Sequence, residues 1–369
     1  MSQLDGLRIA LVGPLPPPAG GMATQTEQLA RLLSQAGAEV QVVQVNPPYR
    51  PAWIARWRGV RAAARLLPYA AQLWRAAGWA DVLHVMANSG WSWHLFAAPA
   101  IRIAAWRGCP VVVNYRGGEA AVFLARSADR VVPVLRRAQA LVVPSGFLQE
   151  VFARHGLSAQ VVPNIVDLAR FYADPRPLAQ RASVILVARH LEPIYGLDVA
   201  VRAFARVAAE LPGARLVLAG QGPERAALER LAAELGVAEE VEFSGPLQRD
   251  AIAARLRAAA IALNASRIDN MPNSVLEAMA SGVPVVSTAV GGVPWVVRDG
   301  VSALLVPPDD ETAMAHAILK LLRDPALATR LAGAGQVEVQ AYAWPRVRAQ
   351  WGAIYSSVRR SPRPQARVA

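Results

Sequence analysis

The stretch Ser266–Gly292, SRIDNMPNSVLEAMASGVPVVSTAVGG, carries the clearest indication of fold in this chain. A short apolar strand pattern at 261–263 precedes it, and an acidic loop follows that strand. A helix pattern then opens at Pro272, ends at Gly282 and leads into a second strand pattern at 284–288. This order of elements can hold a nucleotide diphosphate, because the helix start presents N–H groups and a positive dipole end to phosphate.

Two carboxylates accompany this unit. Glu277 lies one turn inside the helix pattern, where it can accept hydrogen bonds from a ribose diol. Asp269 lies eight residues earlier, on the loop, where it can reach a sugar hydroxyl. A capped helix between two buried strands, with no ligand, remains open as the alternative.

Strand and helix patterns alternate through both halves of the chain, which is typical of doubly wound parallel sheets. The strand patterns occupy 8–12, 40–45, 81–86, 111–115, 140–143, 160–162, 184–188, 215–219, 241–244, 261–263, 285–288 and 303–306. The helix patterns occupy 22–36, 54–77, 92–106, 146–155, 197–211, 224–235, 250–260, 274–281 and 311–322.

The alternation predicts two similar α/β domains that face each other across a cleft. We predict an N-terminal acceptor-binding domain at 1–166, a linker at 167–182 and a C-terminal nucleotide-sugar-binding domain at 183–343. A helix at 344–360 is expected to cross back to the N-terminal domain, and the tail at 361–369 is expected to be disordered. Ligands of such sheets bind beyond the carboxyl ends of the strands.

Composition excludes several classes of protein. The single cysteine, Cys109, rules out an internal disulfide framework and suits a reducing compartment, and the five histidines lack zinc-type spacing. The apolar run at 7–12 is too short for a signal peptide, and no apolar run is long enough to span a membrane. We therefore expect a cytoplasmic protein without a metal.

Positive charge is concentrated in the first half of the chain. Net charge is +12, and residues 1–170 hold 17 Arg against 8 acidic residues. This excess favours an anionic partner such as a phosphorylated lipid, a membrane surface or nucleic acid. An arginine-rich composition with only one lysine, Lys320, also fits a GC-rich genome without any such partner.

The stretch from Asp269 to Gly292, together with the double α/β alternation, resembles the family 4 glycosyltransferases over roughly residues 8–355. These are retaining enzymes of the GT-B fold, with two Rossmann-like doubly wound domains. The resemblance implies transfer of a sugar from a nucleotide-diphosphate sugar, with no cofactor and no metal. Transition-state stabilisation would be mainly electrostatic.

The resemblance also implies roles for individual residues. Glu277 matches the acidic residue that holds the donor ribose, and Asp269 matches the residue that contacts the transferred sugar, where the family usually has Glu. The loop whose backbone faces the diphosphate corresponds to Asn270, Met271, Pro272, Asn273 and Ser274.

Glycine-rich turns supply the remaining donor-binding positions. Gly20 and Gly21 match the family's glycine turn after the first strand, although a plain turn would use the same residues. Gly220 and Gly222 resemble the turn beside the nucleotide, and Leu247 lies in a segment that resembles the one reading the base.

Two positions depart from the family pattern. Arg189 matches the arginine that stabilises the leaving diphosphate, but Tyr195 occupies the position of the usual lysine six residues later. Arg116 stands where many relatives carry a histidine near the reacting sugar. Arg116 can contact donor phosphate or an anionic acceptor, or it can form a purely structural pair with Glu119. We predict Arg189, Asp269 and Arg116 as the catalytic residues.

The segment 49–79 combines tryptophan and arginine at helical spacing, as in Trp53, Trp57, Arg61 and Arg65. Such a helix suits the membrane interface, so we expect peripheral binding to the inner face of the cell membrane. A solvated helix whose tryptophans pack inward is the alternative.

These observations predict a retaining glycosyltransferase that acts on a glycan or lipid-linked acceptor in cell-surface polysaccharide or glycolipid synthesis. A non-catalytic sugar-nucleotide-binding relative is the main alternative, because of Tyr195 and Arg116, and a sugar-nucleotide epimerase is a lesser one. A phosphorylase with a pyridoxal cofactor is disfavoured because Lys320 lies late in a C-terminal helix pattern. A nucleic-acid-binding protein is favoured by charge alone and lacks aromatic stacking motifs.

Overall fold

The computed structural model describes residues 3–17, 20–49 and 58–360, without the side chains of 58–63. The chain divides into two compact units. The N-terminal unit holds the described residues up to Ile165 together with those from Pro345 onward, and the C-terminal unit holds Val166–Trp344.

The N-terminal unit is built on a six-stranded parallel sheet in the order β2-β1-β3-β4-β5-β6. Its strands are β1 Arg8–Gly13, β2 Glu39–Gln44, β3 Val82–Ala87, β4 Val111–Tyr115, β5 Ala140–Val143 and β6 Gln160–Val161. Its helices are α1 Gly21–Gln35, α2 Arg58–Trp79, α3 Ala98–Trp106, α4 Ala120–Leu135, α5 Gly146–Ala153 and α12 Trp344–Val358. Every residue of β3, β4 and β5 is buried, as expected for strands with helices packed on both faces.

The C-terminal unit repeats this architecture with a six-stranded parallel sheet in the order β12-β11-β10-β7-β8-β9. Its strands are β7 Val184–Ala188, β8 Arg215–Ala219, β9 Val241–Phe243, β10 Ile261–Asn264, β11 Val285–Thr288 and β12 Leu304–Val306. Its helices are α6 Leu197–Glu210, α7 Arg225–Glu234, α8 Arg249–Ala258, α9 Asn273–Ala280, α10 Glu311–Arg323 and α11 Pro325–Glu338. The predicted pair of Rossmann-like doubly wound domains is therefore confirmed.

Strand order reverses once in each sheet, and ligands of open α/β sheets bind at such points. In the N-terminal unit the switch lies between β1 and β3, because β2 pairs with the opposite side of β1. In the C-terminal unit it lies between β7 and β10, because β8 pairs with the opposite side of β7. The loops that follow β1, β3, β7 and β10 are therefore expected to carry ligand-binding residues.

Two helices were not predicted from the sequence. Helix α4 contains Pro133 and a non-helical residue, Ser127 with φ −148° and ψ 18°, so its apolar period is interrupted. Helix α11 consists largely of small residues and includes Gly333 and Gly335, so it shows little amphipathic contrast. In both cases tertiary packing stabilises a helix that the local sequence pattern does not predict.

Candidate donor-binding site

Arg189 follows β7 immediately and lies beside the C-terminal switch point. Its Nε donates to Asn264 Oδ1 at 3.2 Å, and a terminal nitrogen donates to Ser266 Oγ at 3.1 Å. Burial lowers the pKa of the guanidinium, and nearby Tyr195 and Glu277 act in the opposite direction. Because arginine remains protonated even so, the site carries a fixed, poorly solvated positive charge.

Asp269 lies on the loop after β10 and forms an ion pair with Arg189. Only 14% of the Arg189 side chain and 11% of the Asp269 side chain are exposed, so water screens this pair weakly. The other carboxylate oxygen of Asp269 accepts from the backbone N–H of Asn270 at 2.9 Å. The pair therefore bridges the switch point between β7 and β10 and fixes the start of the predicted phosphate loop.

Tyr195, the departure from the usual lysine, covers the Arg189 guanidinium. The centre of that guanidinium lies 4.6 Å from the centroid of the Tyr195 ring. Gly196, which follows with φ +59°, provides the left-handed conformation, and a Cβ at this position would collide with the carbonyl oxygen of Ala265. The loop thus offers an aromatic face instead of a second cation.

The glycine turn after β8 packs directly on the strand end that carries Arg189. A Cβ at Gly220 would collide with the carbonyl oxygen of Arg189, and a Cβ at Gly222 would collide with that of Leu191. The backbone N–H of Leu191 donates to Gln221 O at 2.9 Å. Gly220 and Gly222 are therefore required for close backbone approach beside the predicted phosphate site.

Helix α9 starts without a capping side chain and without an acidic residue in its first turn. Pro272 occupies the N-cap in an extended conformation, Asn270 and Met271 are buried before it, and Asn273 opens the helix. The Ser274 hydroxyl is buried and has no hydrogen-bond partner within the described part of the chain. The first turn of α9, at the place predicted to face the diphosphate, thus carries no acidic side chain to offset the positive end of the helix dipole.

Glu277 lies one turn into α9 and pairs with Arg249, the first residue of α8. The Arg249 terminal nitrogen and Glu277 Oε1 are 3.1 Å apart. Burial raises the pKa of Glu277 to about 7, although the cations Arg249, Arg189 and Arg170 oppose this effect. A carboxyl that titrates near neutrality at a predicted ligand site is typical of functional positions.

Leu247 is half-buried and packs against the apolar cluster beneath α9. It follows Gly245, which has φ +70° and permits the turn after β9. Leu247 therefore lies at the same edge of the C-terminal sheet as the residues above, and its place beside the base stays a prediction.

The N-terminal unit carries the remaining predicted residues. Gly20 is the extended N-cap of α1, which begins at Gly21 after β1 and has no acidic residue in its first turn. Arg116 follows β4, two strands away from β1 in the same sheet. These positions are at the carboxyl edge of their own sheet, on either side of the N-terminal switch point.

Within the part of the chain that the structure describes, Arg116 does not form the alternative structural ion pair with Glu119. One terminal nitrogen donates to Asn114 Oδ1 at 3.3 Å, and the other is buried without a hydrogen-bond partner among the described residues. Burial lowers the pKa of the guanidinium to about 10. A half-buried cation with an unsatisfied nitrogen favours an anionic ligand.

A network of three buried polar side chains, Asn114, His84 and Tyr355, extends from Arg116 into the core. Asn114 Nδ2 lies 3.2 Å from His84 Nε2, and His84 Nδ1 lies 2.6 Å from the Tyr355 hydroxyl on α12. Because Asn114 donates to Nε2, the hydrogen of the neutral imidazole is assigned to Nδ1, which donates to Tyr355. Burial, assisted by Arg116, lowers the pKa of His84 to about 3.

The structure brings Arg189, Asp269 and Glu277 into one charged cluster with the start of α9 and the glycine turn of 220–222. Sequence reasoning missed three residues that hold this cluster together, namely Arg249, Asn264 and Ser266. Asn264 and Ser266 could have been found from their place at the end of a predicted strand, where polar residues follow an apolar run. Arg249 has no such signal.

Among residues 3–17, 20–49 and 58–360, no three His, Cys, Asp or Glu side chains come together as a metal site would require. Within the same ranges, no helix is long and apolar enough to cross a bilayer.

Comparison with known proteins decides the family. A model described as "Glycosyl transferases group 1" matches residues 181–324, and one described as "Glycosyltransferase Family 4" matches residues 19–170. A D-inositol 3-phosphate glycosyltransferase of Acidothermus cellulolyticus is 30% identical over 381 aligned residues, covering 88% of this chain and 83% of that protein. The chain belongs to the group 1, family 4 glycosyltransferases.

Other curated relatives match this glycosyltransferase over shorter spans. The protein of the same name from Geodermatophilus obscurus is 36% identical over 202 residues, which cover 50% of this chain and 44% of that protein. The chain thus spans about half the length of several of the relatives it matches.

Solved structures share the fold of this glycosyltransferase. Anabaena HepE in complex with UDP-glucose has a TM-score of 0.75 at 19% identity, covering 95% of this chain and 99% of that one. Sucrose-phosphate synthase from Thermosynechococcus elongatus has a TM-score of 0.71 at 23% identity, covering 95% and 98%. These likenesses show the GT-B fold.

Proposed function

We propose that this glycosyltransferase moves a sugar from a nucleoside diphosphate sugar to a glycan or lipid-linked acceptor, with retention at the anomeric carbon. One observation carries the proposal: Arg189, Asp269 and Glu277 meet at the switch point of the C-terminal sheet, beside the uncapped start of α9. This is the place where an open α/β sheet binds its ligand, and the charges match a nucleotide sugar.

In this proposal the donor is bound by three kinds of group. Glu277 accepts from the ribose diol, because its Oε2 remains available beside the Oε1 that Arg249 holds. The diphosphate lies against the start of α9, where the backbone and Ser274 offer donors, and against Arg189. Asp269 accepts a hydrogen bond from a hydroxyl of the transferred sugar. Its ion pair with Arg189 weakens when that hydrogen bond forms.

The chemical step depends on the leaving diphosphate. As the bond between the anomeric carbon and phosphate oxygen breaks, negative charge develops on the diphosphate, and Arg189 with the helix dipole stabilises it. The acceptor oxygen bonds to the same face of the sugar, and its proton passes to the departing phosphate oxygen. This route assigns charge neutralisation to Arg189 and the helix start, without a metal or a further cofactor.

The names of similar proteins support the substrate class. HepE was solved with UDP-glucose, and the curated relatives are named for D-inositol 3-phosphate, a phosphorylated polyol. Arg116, with its unsatisfied buried nitrogen, suits a phosphate group on the acceptor. We therefore propose that Arg116 helps to bind an anionic acceptor, as expected for a phosphate-linked precursor in polysaccharide or glycolipid synthesis.

We also propose that the N-terminal unit binds peripherally to an anionic membrane on the cytoplasmic side. Trp74 on α2 and Trp106 on α3 are 47% and 72% exposed, and the Arg107 guanidinium lies 4.8 Å from the Trp74 ring centroid. Asp81 is the only acidic residue between 40 and 118. Exposed tryptophan with arginine and almost no acid suits the headgroup region.

Part of the predicted membrane helix cannot support this proposal. Trp53 and Trp57 lie outside the described residues, as do Arg50 and Arg56. The helix is described from Arg58, with Arg61 inside it, but not the side chains of these two residues. Arg65 is half-buried and donates to Pro47 O at 3.3 Å, and Trp79 packs against the core. The proposal therefore rests on the α2–α3 surface, which we define by five exposed residues: Trp74, Arg75, Arg102, Trp106 and Arg107.

A donor screen followed by product analysis tests the transfer. We expect one of UDP-glucose, GDP-glucose and ADP-glucose to raise the melting temperature, and we expect labelled sugar to appear in a membrane lipid extract only when protein and extract are combined. Proton NMR of the product should show the anomeric configuration of the donor. Donor binding without product would favour the non-catalytic relative, for which Tyr195 in place of lysine is the supporting observation, and donor conversion without acceptor would indicate an epimerase.

A further inference from the structure

The ion pair between Arg249 and Glu277 joins two elements that the donor site needs. Arg249 opens α8 and Glu277 lies in α9, and their side chains are only 24% and 14% exposed. The Arg249 guanidinium also lies 5.3 Å from the ring centroid of Phe171, a fully buried residue. Ring and carboxylate together hold this guanidinium in one place.

Four charged groups surround the Glu277 carboxyl. Arg249 is its bonded partner at 3.1 Å, and Arg189 and Arg170 add positive potential, whereas Asp167 adds negative potential. Arg170 is itself engaged by Asp250 at 3.0 Å and by Asp167 at 4.0 Å. Arg189 is engaged by Asp269. Arg249 is therefore the cation most directly committed to Glu277.

We propose that Arg249 is a positioning residue for donor binding, whose guanidinium keeps the Glu277 carboxylate charged and turns its Oε2 toward the ribose diol. This rests on the proposed function, because the ribose role of Glu277 is part of it. In this proposal Arg249 acts through Glu277 and not by direct contact with the donor. Burial otherwise favours the neutral carboxyl, which would place a hydrogen on one of the oxygens needed as acceptors.

The consequence is a donor affinity that depends on pH. Burial brings the pKa of Glu277 to about 7 even with Arg249 in place, so the charged acceptor is lost as pH falls below neutrality. Removing an opposite charge within bonding distance raises a carboxyl pKa by about 1–3 units. Without Arg249, donor binding should therefore require a higher pH.

Calorimetric titration from about pH 5.5 to 8.5 tests this, using the nucleotide sugar that the donor screen selects. The diphosphate of a nucleotide sugar is esterified at both ends, so it does not titrate in this range. Wild-type affinity is expected to rise with pH through a midpoint near 7 and to level off about one pH unit above it. In Arg249→Gln the midpoint is expected to move up by about one pH unit or more, with a severalfold loss of affinity at pH 7.

Three further variants make the result decisive. Arg249→Lys keeps a charge and should show a smaller shift, and Glu277→Gln should bind weakly with a flat pH profile. Arg255→Gln, on the same helix but paired with the exposed Glu242 at 2.6 Å, should match wild type. If Arg249→Gln leaves the pH midpoint of donor affinity unchanged, or lowers donor affinity equally at every pH, the positioning role of Arg249 is wrong but the proposed function stands. If the wild-type protein binds no nucleotide sugar, the proposed function is wrong as well.

Discussion

The guanidinium of Arg189 lies 4.6 Å from the centroid of the Tyr195 ring. Members of the family commonly have a lysine at the position of Tyr195. The ring covers one face of the guanidinium, while Asp269, Asn264 and Ser266 engage its nitrogens. The aromatic ring of Tyr195 thus replaces the usual lysine and packs against the Arg189 guanidinium. At the proposed leaving-group site, Arg189 is therefore held by an aromatic ring and three polar side chains, with no lysine at position 195.

Tyr195→Phe should leave turnover within about threefold, because the ring and its contact with Arg189 remain. Tyr195→Leu removes the aromatic face and should cost about 0.5–2 kcal/mol in transition-state stabilisation, which corresponds to a loss of up to about 30-fold in kcat/KM. Steady-state kinetics of both variants checks this. Equal losses in the two would show that the hydroxyl, and not the ring, is what counts.

Arg189→Ala should lower kcat by about 100-fold or more and change KM less, because the charge it meets develops mainly in the transition state. Tyr195 cannot supply a compensating cation. Arg206→Ala is the matched control, since Arg206 is an exposed arginine on α6 whose 2.7 Å pair with Glu311 lies outside the site. A kcat near the wild-type value in the Arg189 variant would remove Arg189 from the mechanism.

Glu277→Ala should weaken binding of the nucleotide sugar by about 1.5–3 kcal/mol, the worth of a charged hydrogen bond to a diol. Calorimetry gives the affinity, and circular dichroism confirms that the variant is folded. Glu229→Ala removes an exposed carboxylate of α7 that pairs with Arg225 at 2.8 Å, and it should bind donor normally. Unchanged affinity in the folded Glu277 variant contradicts the ribose assignment.

His84 should make the N-terminal unit sensitive to acid. Burial lowers its pKa to about 3, against an ordinary value of 6.5, so between these values the unfolded chain binds a proton that the native state does not. Stability therefore falls as pH decreases below about 6.5, by at most about 1.4 kcal/mol per pH unit from this group.

Replacement of His84 by glutamine should make the fall in melting temperature between pH 6.5 and 4.5 shallower, whatever it does to stability at pH 7. His94→Gln, at an exposed histidine in the same unit, is the matched control. Parallel slopes for the His84 variant and wild type would show that His84 does not contribute to the acid sensitivity.

The α2–α3 surface should bind vesicles of phosphatidylglycerol and phosphatidylcholine more strongly as the anionic fraction rises, and less strongly as salt is added. Arg75→Glu and Arg102→Glu combined with Trp106→Ser should reduce co-sedimentation by tenfold or more, because each arginine contributes about 1 kcal/mol. Arg202→Glu with Arg230→Glu, at exposed positions of the C-terminal unit, is the matched reversal and should have little effect. Equal binding to neutral and anionic vesicles, or no binding to either, would contradict the proposed docking on an anionic membrane.

The sequence by itself determined the two doubly wound sheets, because buried parallel strands leave continuous apolar runs and their helices leave a 3.6-residue period. It also singled out Asp269 and Glu277 as ligand-binding candidates, because one follows a strand pattern and the other lies one turn into a helix pattern. Arg189 was predicted from the resemblance to the family and not from local pattern alone. Helices α4 and α11 were missed, because a kink in one and small residues in the other remove that period.

Only the tertiary structure decided which charges meet. Arg249 and Glu277 are 28 residues apart, and His84 and Tyr355 are 271 apart, so no local pattern could pair them. Tertiary packing also decided that the Tyr195 ring covers Arg189. It decided as well that the pKa of Glu277 is raised to about 7, because burial and the distances to charged partners set a pKa, and local sequence predicts neither. Residue type fixes which charges are available, and three-dimensional proximity in a poorly solvated place fixes what they do.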